Sequence, residues 1–260
     1  MTLAYFRVGD GPRPLLLVHG FLGAGRNLTT LARKLSERDP QLGIVVPDLT
    51  GHGASPPLAP DDDLHTLARD LLATARAAGL REPVQIMGHS LGGRVALAAA
   101  LAEPDAVAAL TLLDISPSPI VHPGADSSKI IELIASGPRE APTREPFREH
   151  LRAGGVEPSL VEWQMLNLQH HGGVYRWRID PEALARLHLR VNAADLWPAV
   201  ERPGRAYRLH CVRGEHSTYV SDADAARLEA AGCPVDTLAG VGHFVHVDGL
   251  DRLLAAVAAR

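Results

Sequence analysis

The chain has 260 residues, of which 46% are hydrophobic and 22% charged, which suits one large α/β domain or a core with an insertion. A formal net charge of −4 provides no basic stripe for nucleic acid, so we expect a small-molecule partner and no nucleic-acid partner. No segment approaches the roughly 18 consecutive apolar residues of a membrane span, and residues 1–10 lack a signal-peptide pattern, so we expect no span and a cytoplasmic protein.

The first part of the chain alternates apolar strand patterns with helix patterns. Strands are predicted at residues 3–8, 14–19, 44–49, 83–89 and 107–115, and helices at 26–38, 64–78 and from Ser90 onwards. A right-handed series of βαβ units of this kind forms a mostly parallel sheet.

The periodicity changes after residue 116. Residues 117–203 contain prolines, glycines and short amphipathic stretches but no convincing core strand, which predicts a helical cap between two core segments, 1–116 and 204–260. Regular patterns then resume as a strand at 207–212, a helix at 222–231, a strand at 235–238 and a helix at 247–259. The predicted fold class is α/β, a mostly parallel central sheet flanked by helices, with the helical cap inserted after the sixth strand.

The most informative motif is Gly88-His89-Ser90-Leu91-Gly92, a G-x-S-x-G pattern between a predicted strand and a predicted helix. A serine at such a sharp strand-to-helix turn has a strained backbone and presents its hydroxyl at the edge of the sheet. The motif in this context predicts that Ser90 is a nucleophile. The alternative is a tight turn that caps a helix.

A nucleophilic serine requires a base, and His243 is predicted to be that base. His243 follows the final predicted strand and precedes the last helix, so its imidazole is expected at the same sheet edge as Ser90. The nearest rival among 13 histidines is His246, which we expect to be half-exposed in the first turn of that helix.

The negative charge that develops on a substrate oxygen requires backbone N–H donors. We predict these donors at Leu91, directly after the nucleophile, and at Phe21, in the loop after an early strand. His19 and His52 are expected to support loops near the site. No second ligand lies at a suitable spacing from His52, so we expect no metal, and the predicted chemistry requires no cofactor.

The acid that orients His243 has four candidates. In the α/β-hydrolases, which this order of strands, serine motif, cap and late histidine resembles, the acid usually lies in the loop after the strand at 207–212, but Ser217 stands where an aspartate is expected. Glu215 lies two positions too early, and Asp222 and Asp224 fall where helix N-caps are favoured. Asp114 ends the strand that follows the nucleophile strand, at the carboxyl edge of the sheet. We predict Asp114 as the acid, with the other three carboxylates as alternatives.

Several of these segments resemble the α/β-hydrolase superfamily: His-Gly-Phe-Leu-Gly (19–23), Gly-His-Ser-Leu-Gly-Gly-Arg (88–94), Leu-Asp-Ile-Ser-Pro (113–117) and Gly-His-Phe-Val-His (242–246). Residues 163–168, 175–179 and 213–220 more narrowly resemble the YbfF-type esterases and their mitochondrial abhydrolase relatives. The likeness spans nearly the whole chain. It implies an α/β-hydrolase fold, with Asp114 as the triad acid and an R-G-x-x-S-x-Y loop in place of the usual acid loop. The chain departs from the group at His216 and from the superfamily at Thr50.

The predicted function is that of a carboxylesterase or thioesterase, a serine hydrolase that cleaves short to medium acyl esters or thioesters through an acyl-enzyme. Apolar residues of the cap are candidates for an acyl pocket, although such residues also form cap cores: Met165, Leu166, Tyr175 and Trp177. Arg94 is expected to brace nearby loops. One alternative is a cofactor-free C–C bond hydrolase or lyase, and another is a non-catalytic ligand-binding protein of the same fold.

Overall fold

The computed structural model describes residues 1–120 and 125–258, apart from the side chains of residues 125 and 126. The strands are β1 (Tyr5–Val8), β2 (Arg13–Val18), β3 (Leu42–Pro47), β4 (Val84–His89), β5 (Val107–Leu113), β6 (Glu140–Ala141), β7 (Leu168–His171), β8 (Val174–Trp177), β9 (Arg208–Gly214) and β10 (Val235–Leu238). Seven of them form a central sheet with the order β1-β3-β2-β4-β5-β9-β10, and a small sheet with the order β6-β8-β7 lies outside it.

The central sheet is parallel except for the edge strand β1, which runs antiparallel to β3. All six residues of β3 are buried, as expected for a parallel strand covered by helices on both faces. Because the strands are parallel, the carboxyl ends of β2, β4, β5, β9 and β10 lie at one edge of the sheet. The segments that follow these five ends carry the core residues of the candidate active site.

The helices are α1 (Thr29–Arg38), α2 (Leu64–Ala77), α3 (Leu91–Ala102), α4 (Ala125–Ser136), α5 (Glu145–Ala153), α6 (Pro158–Gln164), α7 (Pro181–Ala193), α8 (Trp197–Val200), α9 (Asp222–Ala230), α10 (Val245–Asp248) and α11 (Leu250–Ala258). Helix α3 is buried almost all round, because it packs on β4 and β5 and is covered by α2. Its run of small alanines permits this close packing. The predicted last helix is divided into α10 and α11.

The insertion lies between β5 and β9 and therefore follows the fifth strand. The prediction that it follows the sixth strand was wrong, since only five strand-forming segments precede residue 117. The insertion also holds the small sheet that the sequence analysis did not predict. Gly172 and Gly173 join β7 to β8 with φ angles of 60° and 81°, as a two-residue hairpin turn requires. The Gly-Gly pair between two short runs was the sequence signal for this hairpin.

Arg94 joins the two ends of the insertion to the core. The residue is 1% exposed, and its guanidinium donates hydrogen bonds to the carbonyls of Ser116 and Ser118 on one end. It also donates to the carbonyls of Val191 and Ala194 on the other end. Burial lowers the pKa of Arg94 to about 10. These contacts confirm that Arg94 braces nearby loops.

The two cysteines, Cys211 and Cys233, are free and buried. Burial raises the pKa of Cys233 to about 12 and that of Cys211 well above its ordinary value, so neither is a ready nucleophile. Across the described part of the chain, no helix is long and apolar enough to cross a membrane.

Candidate active site

Ser90 lies in the turn between β4 and α3 and has φ 51° and ψ −117°, a strained conformation for a residue with a side chain. The flanking glycines permit this turn. A Cβ atom on Gly88 would lie 2.3 Å from the carbonyl carbon of Gly92, and one on Gly92 would lie 2.4 Å from the oxygen of Val18. Both distances are too short for any side chain, so the turn requires glycine at these positions.

Asp114 and His243 are in direct contact. His243 Nδ1 lies 2.7 Å from Asp114 Oδ2, and Asp114 is fully buried. The same carboxylate accepts hydrogen bonds from Gly214 N, at 2.8 Å, and from the hydroxyl of Ser217. A buried carboxylate requires such donors. Ser217, which replaces the expected aspartate, therefore supports the carboxylate that contacts His243.

The three alternative acids have other partners. These contacts are Glu215 with Gly240 N at 2.7 Å, Asp222 with Arg213 at 2.8 Å, and Asp224 with the Ser118 hydroxyl at 2.7 Å. The side chain of Asp222 is also 94% exposed. Of the four candidates, the geometry therefore favours Asp114.

The loop after β2 is held by two buried imidazoles. His19 Nε2 accepts a hydrogen bond from Leu49 N at 2.9 Å, and its Nδ1 donates to Gly20 O at 2.8 Å. His52 Nε2 accepts from Leu22 N at 3.3 Å. Burial, followed by the charge of His19, lowers the pKa of His52 to about 3 and keeps it a neutral acceptor. Both histidines therefore support loops, as predicted.

Phe21 and Leu91 line the same cavity as Ser90. Neither backbone N–H donates a hydrogen bond to another described residue, so both are free to bind a substrate oxygen. Ser90 and His243 also line this cavity, although no hydrogen bond joins them in the described residues. Hydrogen bonds in catalytic sites are often long before a substrate is bound.

The cavity has a volume of about 370 Å³ and lies between the sheet edge and the cap. Apolar side chains form much of its wall, including Leu22, Ile115, Ile130, Leu160, Trp163 and Leu187. A cavity of this size can hold a small ligand.

A family model described as the α/β-hydrolase fold matches residues 13–138. The chain is 30% identical over 256 residues to the sn-1-specific diacylglycerol lipase ABHD11 of Xenopus laevis, and the match covers 95% of this chain and 78% of that protein. The chain belongs to the α/β-hydrolase family. It is also 28% identical over 250 residues to the esterase YbfF of Escherichia coli, with 94% of this chain and 91% of that protein covered.

A solved structure of a marine microorganism esterase has the same fold as this α/β-hydrolase. The TM-score is 0.88 at 24% identity, with 99% of this chain and 98% of that chain covered. The predicted α/β-hydrolase fold and the resemblance to YbfF-type esterases are confirmed.

The predicted acyl pocket is not formed by the four residues proposed for it, since none of them lines the cavity. Met165 is buried in the cap core, and Leu166 is 43% exposed on the short helical turn after α6. Tyr175 lies under the guanidinium of Arg144, and Trp177 packs edge-on against Phe147. Residues of α6 just before this turn line the cavity instead: Leu160, Trp163 and Gln164.

Sequence reasoning missed the rings around His243 in this hydrolase. Tyr219 stacks on the imidazole of His243, with 3.9 Å between ring centroids and 20° between planes. His89 Nε2 donates to the carbonyl oxygen of His243 at 2.9 Å. The tyrosine of the R-G-x-x-S-x-Y loop was the available signal for the stacking. His246 is only 8% exposed and packs against His89, so the expectation of a half-exposed side chain was wrong.

Acid is expected to destabilise the enzyme through its buried histidines. Burial lowers the pKa of His188 and His246 to about 4 and, together with the charge of His19, that of His52 to about 3, from an ordinary value of 6.5. As the pH falls below 6.5, the unfolded chain therefore binds protons that the folded chain excludes. The free energy of unfolding should fall by about 1–2 kcal/mol per histidine between pH 7 and about pH 5.

Urea unfolding at the two pH values measures this loss of stability. The variant His52→Gln provides the control, since an amide oxygen can still accept the hydrogen bond from Leu22 N but does not titrate. Its loss on acidification should be smaller than that of the wild type. A free energy of unfolding that is equal at both pH values would contradict the prediction.

Proposed function

We propose that this enzyme hydrolyses carboxylic esters through an acyl-enzyme formed on Ser90. The observation that supports the proposal is the contact of the buried Asp114 carboxylate with His243, in the cavity wall that also holds Ser90. The relatives named lipase and esterase confirm the predicted class, an ester-hydrolysing serine hydrolase. They do not favour the alternative of a C–C bond hydrolase.

In the proposed mechanism Ser90 attacks the ester carbonyl. Because Asp114 engages Nδ1 of His243, the Nε2 atom is the one left to accept the serine proton. The N–H groups of Phe21 and Leu91 stabilise the negative oxygen of the tetrahedral intermediate. His243 then gives its proton to the leaving alcohol, and the acyl group remains on Ser90. His243 then takes a proton from a water molecule, whose oxygen attacks the acyl carbonyl. The bond from the acyl group to Ser90 breaks, the carboxylic acid leaves, and His243 returns the proton to the serine oxygen.

The cavity supports short to medium acyl chains, because its volume of about 370 Å³ is modest and much of its wall is apolar. Thioesters present the same carbonyl geometry to Ser90 and remain within the proposal. Specificity for the acyl chain would then lie in the α6 residues Leu160 and Trp163, which face the cavity.

A fluorophosphonate probe together with a series of p-nitrophenyl esters, from acetate to dodecanoate, tests the function. We expect the probe to modify Ser90, as located by peptide mass spectrometry, and the rate of ester hydrolysis to be highest for short to medium chains. The rate of ester hydrolysis should fall in proportion to the fraction of the protein that is labelled. Ester hydrolysis that survives complete labelling would overturn the proposal, and cleavage of a diketone but not of esters would favour the C–C hydrolase.

A further inference from the structure

A chain of amide hydrogen bonds runs from the loop after β2 into the cap. Asn167 Nδ2 donates to the carbonyl oxygen of Leu22 at 2.8 Å and to Gln164 Oε1 at 3.1 Å. All of these contacts are buried. Leu22 has φ 58° and directly follows Phe21, so the cap holds the loop that carries one proposed oxyanion donor.

The chemistry of this chain fixes the orientation of both amides. A carbonyl oxygen can only accept, so the Asn167 atom that faces Leu22 must be the nitrogen. The same nitrogen supplies the contact to Gln164, which must therefore present its oxygen. The amide nitrogen of Gln164 therefore lies on the side away from Asn167. If the oxygen and the nitrogen of the Gln164 amide were exchanged, two N–H donors would lie against each other.

Gln164 Nε2 has no hydrogen-bond partner in the described residues, although the residue is fully buried. Gln164 also lines the cavity that contains Ser90. A buried donor without an acceptor is unfavourable and rare in native proteins. An acceptor supplied by a ligand in the cavity would remove this penalty.

Several other polar groups in the wall already have partners. His188 Nε2 accepts from Asn192 Nδ2 at 3.2 Å and lies 3.3 Å from the Ser127 hydroxyl. The guanidinium of Arg94 is occupied by backbone carbonyls, as described above. A carboxylate would find no available cation among these groups, so they favour an uncharged acceptor.

We propose that Gln164 Nε2 donates a hydrogen bond to a second, uncharged oxygen of the substrate, so that the preferred substrates are esters that carry an additional ether, carbonyl or ester oxygen. The inference rests on the proposed ester hydrolysis at Ser90 and adds a substrate class to it. A simple alkyl ester leaves the Gln164 donor unpaired. An ester with an oxygen at the right distance pairs it and should be favoured by about tenfold in kcat/KM.

An oxygen scan measures this preference. Each straight-chain ester is compared with analogues in which one CH₂ group is replaced by an ether oxygen, at successive positions of the acyl chain and, in a second series, of the alcohol. The quantity of interest is the ratio of kcat/KM for the oxygen analogue to that for the hydrocarbon. Dividing the wild-type ratio by the ratio in Gln164→Leu cancels differences in intrinsic reactivity.

Gln164→Glu is the second test variant, since it keeps an oxygen for Asn167 and lacks the amide donor when ionised. Leu160→Ala is the matched control, because it enlarges the same cavity without removing a donor. We expect a wild-type ratio of about ten at one oxygen position, loss of that preference in both Gln164 variants, and an unchanged ratio in the control.

Titration calorimetry separates the proposed ester hydrolysis from the proposed role of Gln164. It measures the binding of the same ester pairs to Ser90→Ala and to the double variant Ser90→Ala/Gln164→Leu. Ester hydrolysis with equal ratios in wild type and Gln164→Leu at every position would overturn the inference and leave the proposed function intact. A Gln164-dependent binding preference without any hydrolysis would overturn the function and support the inference. Equal binding without hydrolysis would overturn both.

Discussion

Replacement of Ser90 by alanine is expected to lower kcat for ester hydrolysis by about 10⁶-fold, to the residual level that binding and oxyanion stabilisation provide. The reason is that the proposed acyl-enzyme cannot form without the hydroxyl. Alanine keeps the Cβ atom, so the strained turn at φ 51° is unchanged and the fold should be retained. Steady-state rates with p-nitrophenyl esters, after removal of contaminating esterase, measure the loss.

The cavity wall offers a matched control for this variant. Ser127 also lines the cavity and lies 3.3 Å from a histidine, His188. Its histidine nitrogen, however, is shared with the donor Asn192 Nδ2, and burial lowers the pKa of His188 to about 4. Ser127→Ala should therefore keep kcat within about threefold of the wild type. A large loss in Ser127→Ala with little loss in Ser90→Ala would contradict the assignment of the nucleophile.

The elements around the candidate site could be predicted because local patterns specify them. Fully buried parallel strands such as β3 are continuous apolar runs, and the glycines beside Ser90 mark a turn that no other residue permits. The prediction of Asp114 as the acid required one more step of inference. Its place at the end of β5 follows from the order of the strands, since parallel strands bring their carboxyl ends to one edge.

The cavity wall could not be predicted, because it depends on how the cap is oriented over the core. Leu160 and Trp163 of α6 line the cavity, whereas Leu166, on the short helical turn that follows α6, is exposed. The orientation of the Gln164 amide depends on a contact from Asn167 to Leu22, residues 145 positions apart. No local pattern encodes such a contact.

Replacement of Asp114 by asparagine should lower kcat by about 10⁴-fold while leaving the volume of the side chain unchanged. Gly214 N donates to one oxygen of residue 114, and this contact would hold the asparagine oxygen at that side. The amide nitrogen would then face His243 Nδ1, which could only accept from it. The proton of the neutral imidazole would move to Nε2, and the base would lose the lone pair that receives the serine proton.

Asp222→Asn and Asp224→Asn are the controls for this variant, and each should retain kcat/KM within about twofold of the wild type. Asp222 is exposed and paired with Arg213, and Asp224 contacts Ser118, so neither change alters the tautomer of His243. Rates with one p-nitrophenyl ester, together with thermal unfolding of each variant, separate a catalytic loss from a folding defect. A wild-type rate in Asp114→Asn with a collapsed rate in Asp222→Asn would place the acid at the first residue of α9, because the loss would then follow the carboxylate that holds the tautomer of His243.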